Sequence, residues 1–373
     1  MITGIVCEYN PLHLGHKKQL DFLRQADPDG TIVCLMSGNF VQRGAPAIID
    51  KAYRAKAAIL SGADLVLEMP INISLSSAEG FAAGSVSILD KFCHSICFGA
   101  ETADRKLLME TADALNSDTF SDKLRVHIDA GLSFPAARQK ALEDMGLRGD
   151  ILALPNNILA IEYCKAILKF NSPMQPIVIA RQGNYHDTQI NAENPSATAI
   201  RSLMEAGAPW QNYVPGADIL SDAPLHTLKH GEQAILYRLR TMTDAEFEAL
   251  PYGSEGLWRK LMRNARKYNT LEDIITATKS KRYTRTRLDR MVMCAFLGVT
   301  EQMLATPAPY INVLAFNDKG RNALKIARQT GNFVNIGENT KDSYGDFLKR
   351  CDDLYALFSP TAARQNRKVY AHK

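Results

Sequence analysis

The sequence predicts an α/β fold: a doubly wound parallel sheet over residues 1–205, followed by a mostly helical domain over residues 206–373. Three observations predict it. Short, largely apolar runs (2–6, 31–36, 63–68, 95–98, 176–180) alternate with longer helical patterns, as strands buried on both faces of a parallel sheet require. The composition changes after Ala206, where Gly207, Pro209, Pro215 and Gly216 mark a linker and helical periodicity takes over. With 373 residues the chain is long enough for two cores.

The first strand, Ile2 to Val6, is broken by Asn10-Pro11, and an amphipathic helix begins near Leu14. Between them stands His13-Leu14-Gly15-His16. Histidines three apart share one helix face, and a helix start offers free N–H groups and a positive dipole end to an anion. Gly15 carries no side chain, so a phosphate or base can approach the backbone. The stretch reads as a nucleotide polyphosphate site, against the plainer reading of two surface histidines.

The second strand, 31–36, runs into the polar loop Ser37 to Gly44, at the strand end where open α/β sheets place ligands. Arg43 there is either a bidentate partner for a phosphate or carboxylate, or an ordinary solvated loop arginine. Asp50 caps a helix over 51–60, ended by Gly62; its Lys51 and Arg54 read by default as a solvated face. Strand 63–68, a small-residue helix over 77–91 and strand 95–98 follow, the last ending in Gly99. Residues 107–145 read as helices without evident chemistry, and Pro155 opens a helix whose Asn156 and Asn157 are caps or base-reading amides. After strand 176–180 and Arg181-Gln182, Ser196 caps a helix whose first turn presents Thr198 and Arg201.

In the second half, basic residues concentrate between Trp258 and Arg290. Lys279, Lys281, Arg282, Arg285, Arg287 and Arg290 are opposed in their own stretch only by Asp289, with Tyr283 interleaved. Phosphates supply affinity to such a run and a ring can stack on an exposed base, so it reads as an RNA surface rather than a solubilising face. Residues 309–316 are strand-like, and 363–373 read as a basic, frayed tail. The net charge of +4 makes any nucleic-acid surface local. No apolar run approaches the roughly 20 residues of a membrane span and no signal peptide is visible. The seven cysteines include no CxxC pair, so reduced thiols in a cytoplasmic protein are expected, with no structural metal; no protein partner is predicted.

HLGH resembles the HxGH signature of the nucleotidyltransferases related to class I aminoacyl-tRNA synthetases, which implies a Rossmann-like sheet that binds ATP. Many relatives carry a further histidine where this chain has Gln19. The start of the helix at Ser196, SATAIR, is similar to the superfamily's second phosphate-contacting motif, which adds Thr198 and Arg201 to the candidate site. The stretches EYNPLHLGH, MSGNFVQRGAPAIIDKAYRA, GADLVLEMP, FGAE, LPNNILAIEY, SKRYTRTRLDR and PYINVLAFNDKGR narrow the likeness. In order and along nearly the whole chain, they resemble the bacterial tRNA(Met) cytidine acetate ligases. That resemblance implies an enzyme that activates acetate with ATP as acetyl-adenylate, releasing pyrophosphate, and then acetylates N4 of the wobble cytidine of elongator tRNA(Met), releasing AMP. It implies ATP along Cys7, Glu8, Tyr9, Asn10, Pro11, Leu12, His13, Leu14, Gly15, His16, Lys17, Lys18, Gln19 and Leu20, with Gly99, Asn157, Arg181 and Gln182 completing the site. Mg2+ would travel with the phosphates. His13 and His16 are the expected catalytic donors to phosphate oxygens that gain charge as the α-phosphate is attacked.

Two rival readings each use part of this pattern. A transferase moving a nucleotidyl group onto a small phosphorylated acceptor has no use for the basic half, and an RNA-binding protein with a vestigial nucleotide site has no need of an intact HLGH. Reversing charge at Arg282 and Arg285 together (Arg282→Glu with Arg285→Glu) is expected to weaken tRNA binding while sparing ATP binding. Unchanged tRNA affinity at moderate salt would show that the RNA surface lies elsewhere.

Overall fold

The structure is a computed structural model that describes residues 1–181, 195–280, 283–338, 342–361 and 368–372. Its strands are β1 (Ile2–Cys7), β2 (Thr31–Ser37), β3 (Phe40–Val41), β4 (Ala45–Pro46), β5 (Leu65–Met69), β6 (Ser95–Ala100), β7 (Gln175–Ala180), β8 (Ile311–Phe316), β9 (Phe333–Asn335) and β10 (Tyr370–Ala371). The main sheet runs β10-β8-β5-β2-β1-β6-β7, with β9 also on β8. β1 pairs in parallel with β2, from Ile2↔Thr31 to Cys7↔Met36, and with β6 on its other side. The chain therefore leaves β1 first towards β2 and β5 and later towards β6 and β7. That reversal opens a crevice at the C-terminal ends of β1 and β6, where doubly wound sheets bind ligands.

Period-two alternation divides the core into two layers, because successive side chains of a strand face opposite sides of the sheet. Ile32, Cys34 and Met36 of β2 pack with Leu20 and Leu23 of α1 (Leu14–Ala26) and with Ala55, Ala58 and Ile59 of α2 (Lys51–Leu60). Val33 and Leu35 face the other way, onto a core that includes Phe81, Val86 and Leu89 of the Ala78–Leu89 helix and Ala160, Ile161 and Ile167 of the Pro155–Lys169 helix. Helices therefore cover both faces, as the apolar runs predict.

The strands are not confined to residues 1–205. The chain returns from the helical half to add β8 antiparallel to β5, in the register Leu65↔Phe316, and then β9 and β10 beside β8. An otherwise open edge at β5 would expose a row of unpaired backbone groups, and β8 covers it. Residues 370–371 of the expected frayed tail are thereby held in the sheet. A separate helical core, which includes Leu236, Leu261, Ile275, Leu288 and Phe347, occupies much of the rest of the second half.

Lys51 and Arg54 correct the reading of α2. They are 2% and 0% exposed, not a solvated face. The Arg54 guanidinium donates to the carbonyls of Ile49 (2.8 Å), Glu8 (2.6 Å), Ser37 (3.1 Å) and Gly38, tying together the C-terminal ends of β1 and β2. The Lys51 ammonium meets Glu68 Oε1 at 2.6 Å and Asp352 Oδ1 at 3.2 Å. A cation is tolerated inside only when its donors are satisfied, and helical spacing alone cannot reveal carbonyls brought from three loops. Arg54→Met leaves those carbonyls buried and without this donor, and is expected to destabilise the fold by roughly 3–5 kcal/mol. Chemical denaturation checks this, and an unchanged midpoint and slope would contradict it.

Candidate nucleotide-binding site

A cavity of about 260 Å³ lies in the crevice. Its floor is the end of β1, Val6 to Asn10, beside Phe98 and Gly99 of β6. His13, His16 and Gln19 of the α1 start also line the cavity, together with Arg181 and the start of the Ala197–Ala206 helix. The β3–β4 hairpin adds Val41, Gln42, Arg43, Ala45 and Pro46.

The histidine pair is built by helix capping. His13 is the N-cap of α1, and its Nδ1 accepts from Gly15 N–H at 3.1 Å. His16 Nδ1 in turn accepts from His13 N–H at 3.3 Å, closing a reciprocal capping box made of two imidazoles. The ring centroids are 3.8 Å apart. A nitrogen that accepts from a backbone amide carries no proton, so each neutral ring bears its hydrogen on Nε2. The structure adds a second reason for Gly15: a Cβ there would meet Cε1 of the His13 ring at 2.9 Å.

Charge is supplied by arginine. Arg201 Nη1 donates to Asn10 O at 2.9 Å and Nη2 to Thr198 Oγ1 at 3.2 Å, while Ser196 caps its helix through Ala199 N–H. Arg181 Nη1 donates to Asn156 Oδ1 at 2.9 Å. Burial, with help from Arg181 and Arg201, holds the His13 pKa down to about 3. Burial, His13 and Arg181 likewise hold His16 well below the usual histidine range. The site therefore presents two neutral, directed N–H donors beside guanidinium charges, a set suited to a polyphosphate.

Cys7, Glu8, Tyr9, Asn10, His13, His16, Gln19, Gly99, Arg181, Thr198 and Arg201 all line this cavity. The other expected residues do not. Leu12 and Leu20 belong to the core at 1% exposure, and Pro11 is buried. Leu14 and Gly15 are backbone neighbours of the pair, Lys17 pairs with Asp21, and Lys18 is exposed. Asn157 is fully buried, with Oδ1 accepting from Thr102 N–H (2.9 Å) and Nδ2 donating to Thr102 Oγ1 (3.0 Å). Its neighbour Asn156 takes the lining position; both amides at this helix start bond Glu101, at 3.2 and 2.8 Å. Gln182 lies outside the described residues.

Sequence reasoning left Arg43 undecided and missed the hairpin around it. The only sequence signal was the glycine-bounded polar loop after β2. Glu8 Oε1 anchors this hairpin through Gln42 N–H at 2.9 Å. Gly44, at φ +76°, lies so close to the backbone of Asp289 and Arg290 that no Cβ fits, so the hairpin seats on the Arg285–Leu297 helix. It also missed the apolar wall of Phe81, Phe98, Leu159, Ala160 and Tyr163, whose residues read as ordinary core.

Of the expected RNA-contacting residues, Lys279 is exposed, while Lys281 and Arg282 lie outside the described residues. Arg285 is more opposed than its local sequence implies: it makes a bidentate pair with Glu272, both at 2.7 Å, and meets Asp289 at 3.0 Å. Arg287 donates to Tyr252 O at 3.0 and 2.8 Å and lies 5.0 Å from the Tyr283 ring centre. Tyr283 donates to Glu255 Oε2 at 2.9 Å. Glu272 and Glu255 come from neighbouring elements, so a local charge count omits them.

A doubly wound sheet with two imidazole N–H donors beside arginines at its switch point is an arrangement suited to binding a nucleotide. The model of the HIGH nucleotidyl transferase family matches residues 1–369. The chain is 38% identical over 355 residues to the tRNA(Met) cytidine acetate ligase of Clostridium acetobutylicum, covering 88% of each. It is 39% identical over 348 residues to that of Clostridium novyi, covering 87% and 86%. Two crystal structures of Thermotoga maritima TmcAL, one apo and one bound with alpha-thio ATP, superpose with TM-scores of 0.89 and 0.87 at 28% identity over the full length of both chains. The chain belongs to the tRNA(Met) cytidine acetate ligase family of HIGH nucleotidyl transferases.

The titration of the pair is testable. A folded-state pKa below the unfolded value near 6.5 means that the unfolded chain takes the proton first. The stability the neutral rings contribute is thus present above about pH 6.5 and is lost as pH falls towards about 3. Nitrogen-15 NMR of the ligand-free protein is expected to show both rings protonated on Nε2 only, with no inflection from about pH 8 to about pH 5. An inflection near the ordinary histidine value would contradict the capping geometry.

Proposed function

We propose that this chain uses ATP to activate acetate as acetyl-adenylate and acetylates N4 of the wobble cytidine of elongator tRNA(Met), releasing pyrophosphate and AMP. The observation that carries the reading is the His13–His16 capping box between Arg181 and Arg201, in a chain whose relatives bear that activity's name.

Acetate is a weak nucleophile, and its attack on the α-phosphate loads negative charge onto phosphate oxygens. His13 and His16 meet that charge with Nε2–H groups already fixed by their caps, which leaves little reorganisation for the reaction. Arg181, Arg201 and Thr198 hold the triphosphate. Losing one such donor costs about 3–4 kcal/mol, or a few hundredfold in rate. The lining offers imidazoles, guanidiniums and the Glu8 carboxylate, not a cage of hard oxygen ligands. Mg2+ therefore enters as part of the Mg–ATP substrate and leaves with pyrophosphate. The helical part of residues 206–373 is assigned to tRNA, with Lys279, Lys281, Arg282, Tyr283, Arg285 and Arg287 as its contacts. The seating of the hairpin on the Arg285–Leu297 helix supports an RNA docked there reaching the cavity. We place the reaction in the cytoplasm, with tRNA and acetate as its partners.

Nucleoside mass spectrometry of tRNA incubated with the protein, ATP and labelled acetate tests the proposal. Labelled N4-acetylcytidine is expected from the wild type and a few hundredfold less from His16→Ala. ATP cleavage without acetylcytidine would replace this reading with transfer of a nucleotidyl group to a small acceptor.

A further inference from the structure

The Pro155–Lys169 helix presents a stripe of residues to the cavity. Asn156, Leu159, Ala160 and Tyr163 recur at the spacing of one helix face and all line the cavity. Asn156 is committed to Arg181 and Glu101. The next three residues form an apolar wall with Phe81 and Phe98, and the Tyr163 and Phe98 ring centres are 5.3 Å apart. Within that wall one polar atom stands out. Tyr163 is 2% exposed, yet among the described residues nothing hydrogen-bonds its hydroxyl. A hydroxyl on an otherwise apolar cavity wall is a place for a ligand's polar atom.

We propose that Tyr163 and the apolar wall form the acyl subsite: the Tyr163 hydroxyl donates to the non-attacking oxygen of a small carboxylate, whose methyl packs among Phe81, Phe98 and Leu159. This deepens the function proposed above and rests on it. The hydroxyl donates without giving up its proton: burial, with the Cys7 and Glu8 groups nearby, pushes its pKa well above the ordinary tyrosine value. One carboxylate oxygen attacks the α-phosphorus as the bond to pyrophosphate breaks, while the other keeps its hydrogen bond to Tyr163. In acetyl-adenylate that second oxygen is the carbonyl oxygen. When the cytidine amine attacks the carbonyl carbon, the same oxygen takes up negative charge and the same hydroxyl meets it. The bond to AMP then breaks and the carbonyl re-forms. Tyr163 is thereby a donor in both half-reactions, and the ring wall limits the length of the acyl chain.

Acetate-dependent ATP–pyrophosphate exchange, run on the full chain without tRNA, reads the first half-reaction alone. Tyr163→Phe keeps the ring and removes only the hydroxyl. It is expected to raise KM for acetate about tenfold or more with ATP affinity unchanged. The wild type is expected to favour acetate over propionate in this exchange, and Leu159→Ala to admit propionate. An unchanged acetate KM in Tyr163→Phe, or an equal loss in ATP affinity, overturns the subsite, as does unchanged propionate exchange in Leu159→Ala. A second readout guards against a folding defect. The carbonyl carbon-13 shift of a bound, non-hydrolysable acetyl-adenylate analogue is expected to move upfield in Tyr163→Phe, and an identical shift in both proteins overturns the hydrogen bond. If the wild type shows no acetate-dependent exchange, the failure belongs to the proposed function and not to Tyr163.

Discussion

The site depends on two imidazole nitrogens spent on backbone amides. A helix start leaves N–H groups without partners, and Ser, Thr, Asp or Asn usually supplies the oxygen that satisfies them. In α1 the acceptors are His13 Nδ1 and His16 Nδ1. That choice sets the tautomer, points both Nε2–H groups away from the helix and keeps both rings neutral. It also demands Gly15, since any side chain there would meet the His13 ring. Capping, tautomer, ionisation and the glycine of the motif are one constraint. The neutral pair has a chemical advantage beside two guanidiniums. In the proposed function, arginine charge attracts and holds a triphosphate, while an uncharged N–H donor binds most strongly only where charge increases, which separates binding from catalysis.

The capped helix is useful only if the strand before it ends in the right place, and Arg54 holds that end. Its fork bonds carbonyls of Glu8, Ser37, Gly38 and Ile49. Glu8 then anchors the β3–β4 hairpin through Gln42, and Asn10 Oδ1 accepts from Ile48 N–H at 2.8 Å. The hairpin seats on the Arg285–Leu297 helix at Gly44. A continuous set of contacts thus runs from the floor of the nucleotide cavity to the basic half of the chain. In the proposed function, this connection joins the surface assigned to the folded RNA with the site that activates the small acid.

Much of this was legible in the sequence because it depends on local pattern. The buried strands are apolar runs, α1 and α2 announce themselves by periodicity and caps, and HLGH stands where a strand meets a helix. What was not legible depends on contacts between distant elements. Arg54 looks like any helix-surface arginine until loops from β1 and β2 close over it. Arg285 looks unopposed until Glu272 of the preceding helix is placed beside it. Asn157 reads as a ligand contact, yet it holds the loop after β6, and its neighbour faces the cavity. Tyr163 sits among apolar residues at core spacing, and only the shape of the cavity separates it from ordinary core. The strand order likewise hides β8, whose residues lie far along the chain from the β5 edge they cover.

The central claim is that the site activates a carboxylate at the α-phosphorus of ATP. Single-turnover reaction with acetate labelled in both oxygens by oxygen-18, followed by mass spectrometry of the nucleotide product, tests it most directly. Attack at the α-phosphorus leaves one labelled oxygen bridging acetyl and AMP, and that oxygen departs with AMP when the cytidine amine takes the acetyl group. AMP carrying one heavy oxygen, with unlabelled pyrophosphate, is the predicted result. Unlabelled AMP, or label in inorganic phosphate beside ADP, would place the attack elsewhere on the triphosphate and contradict the account.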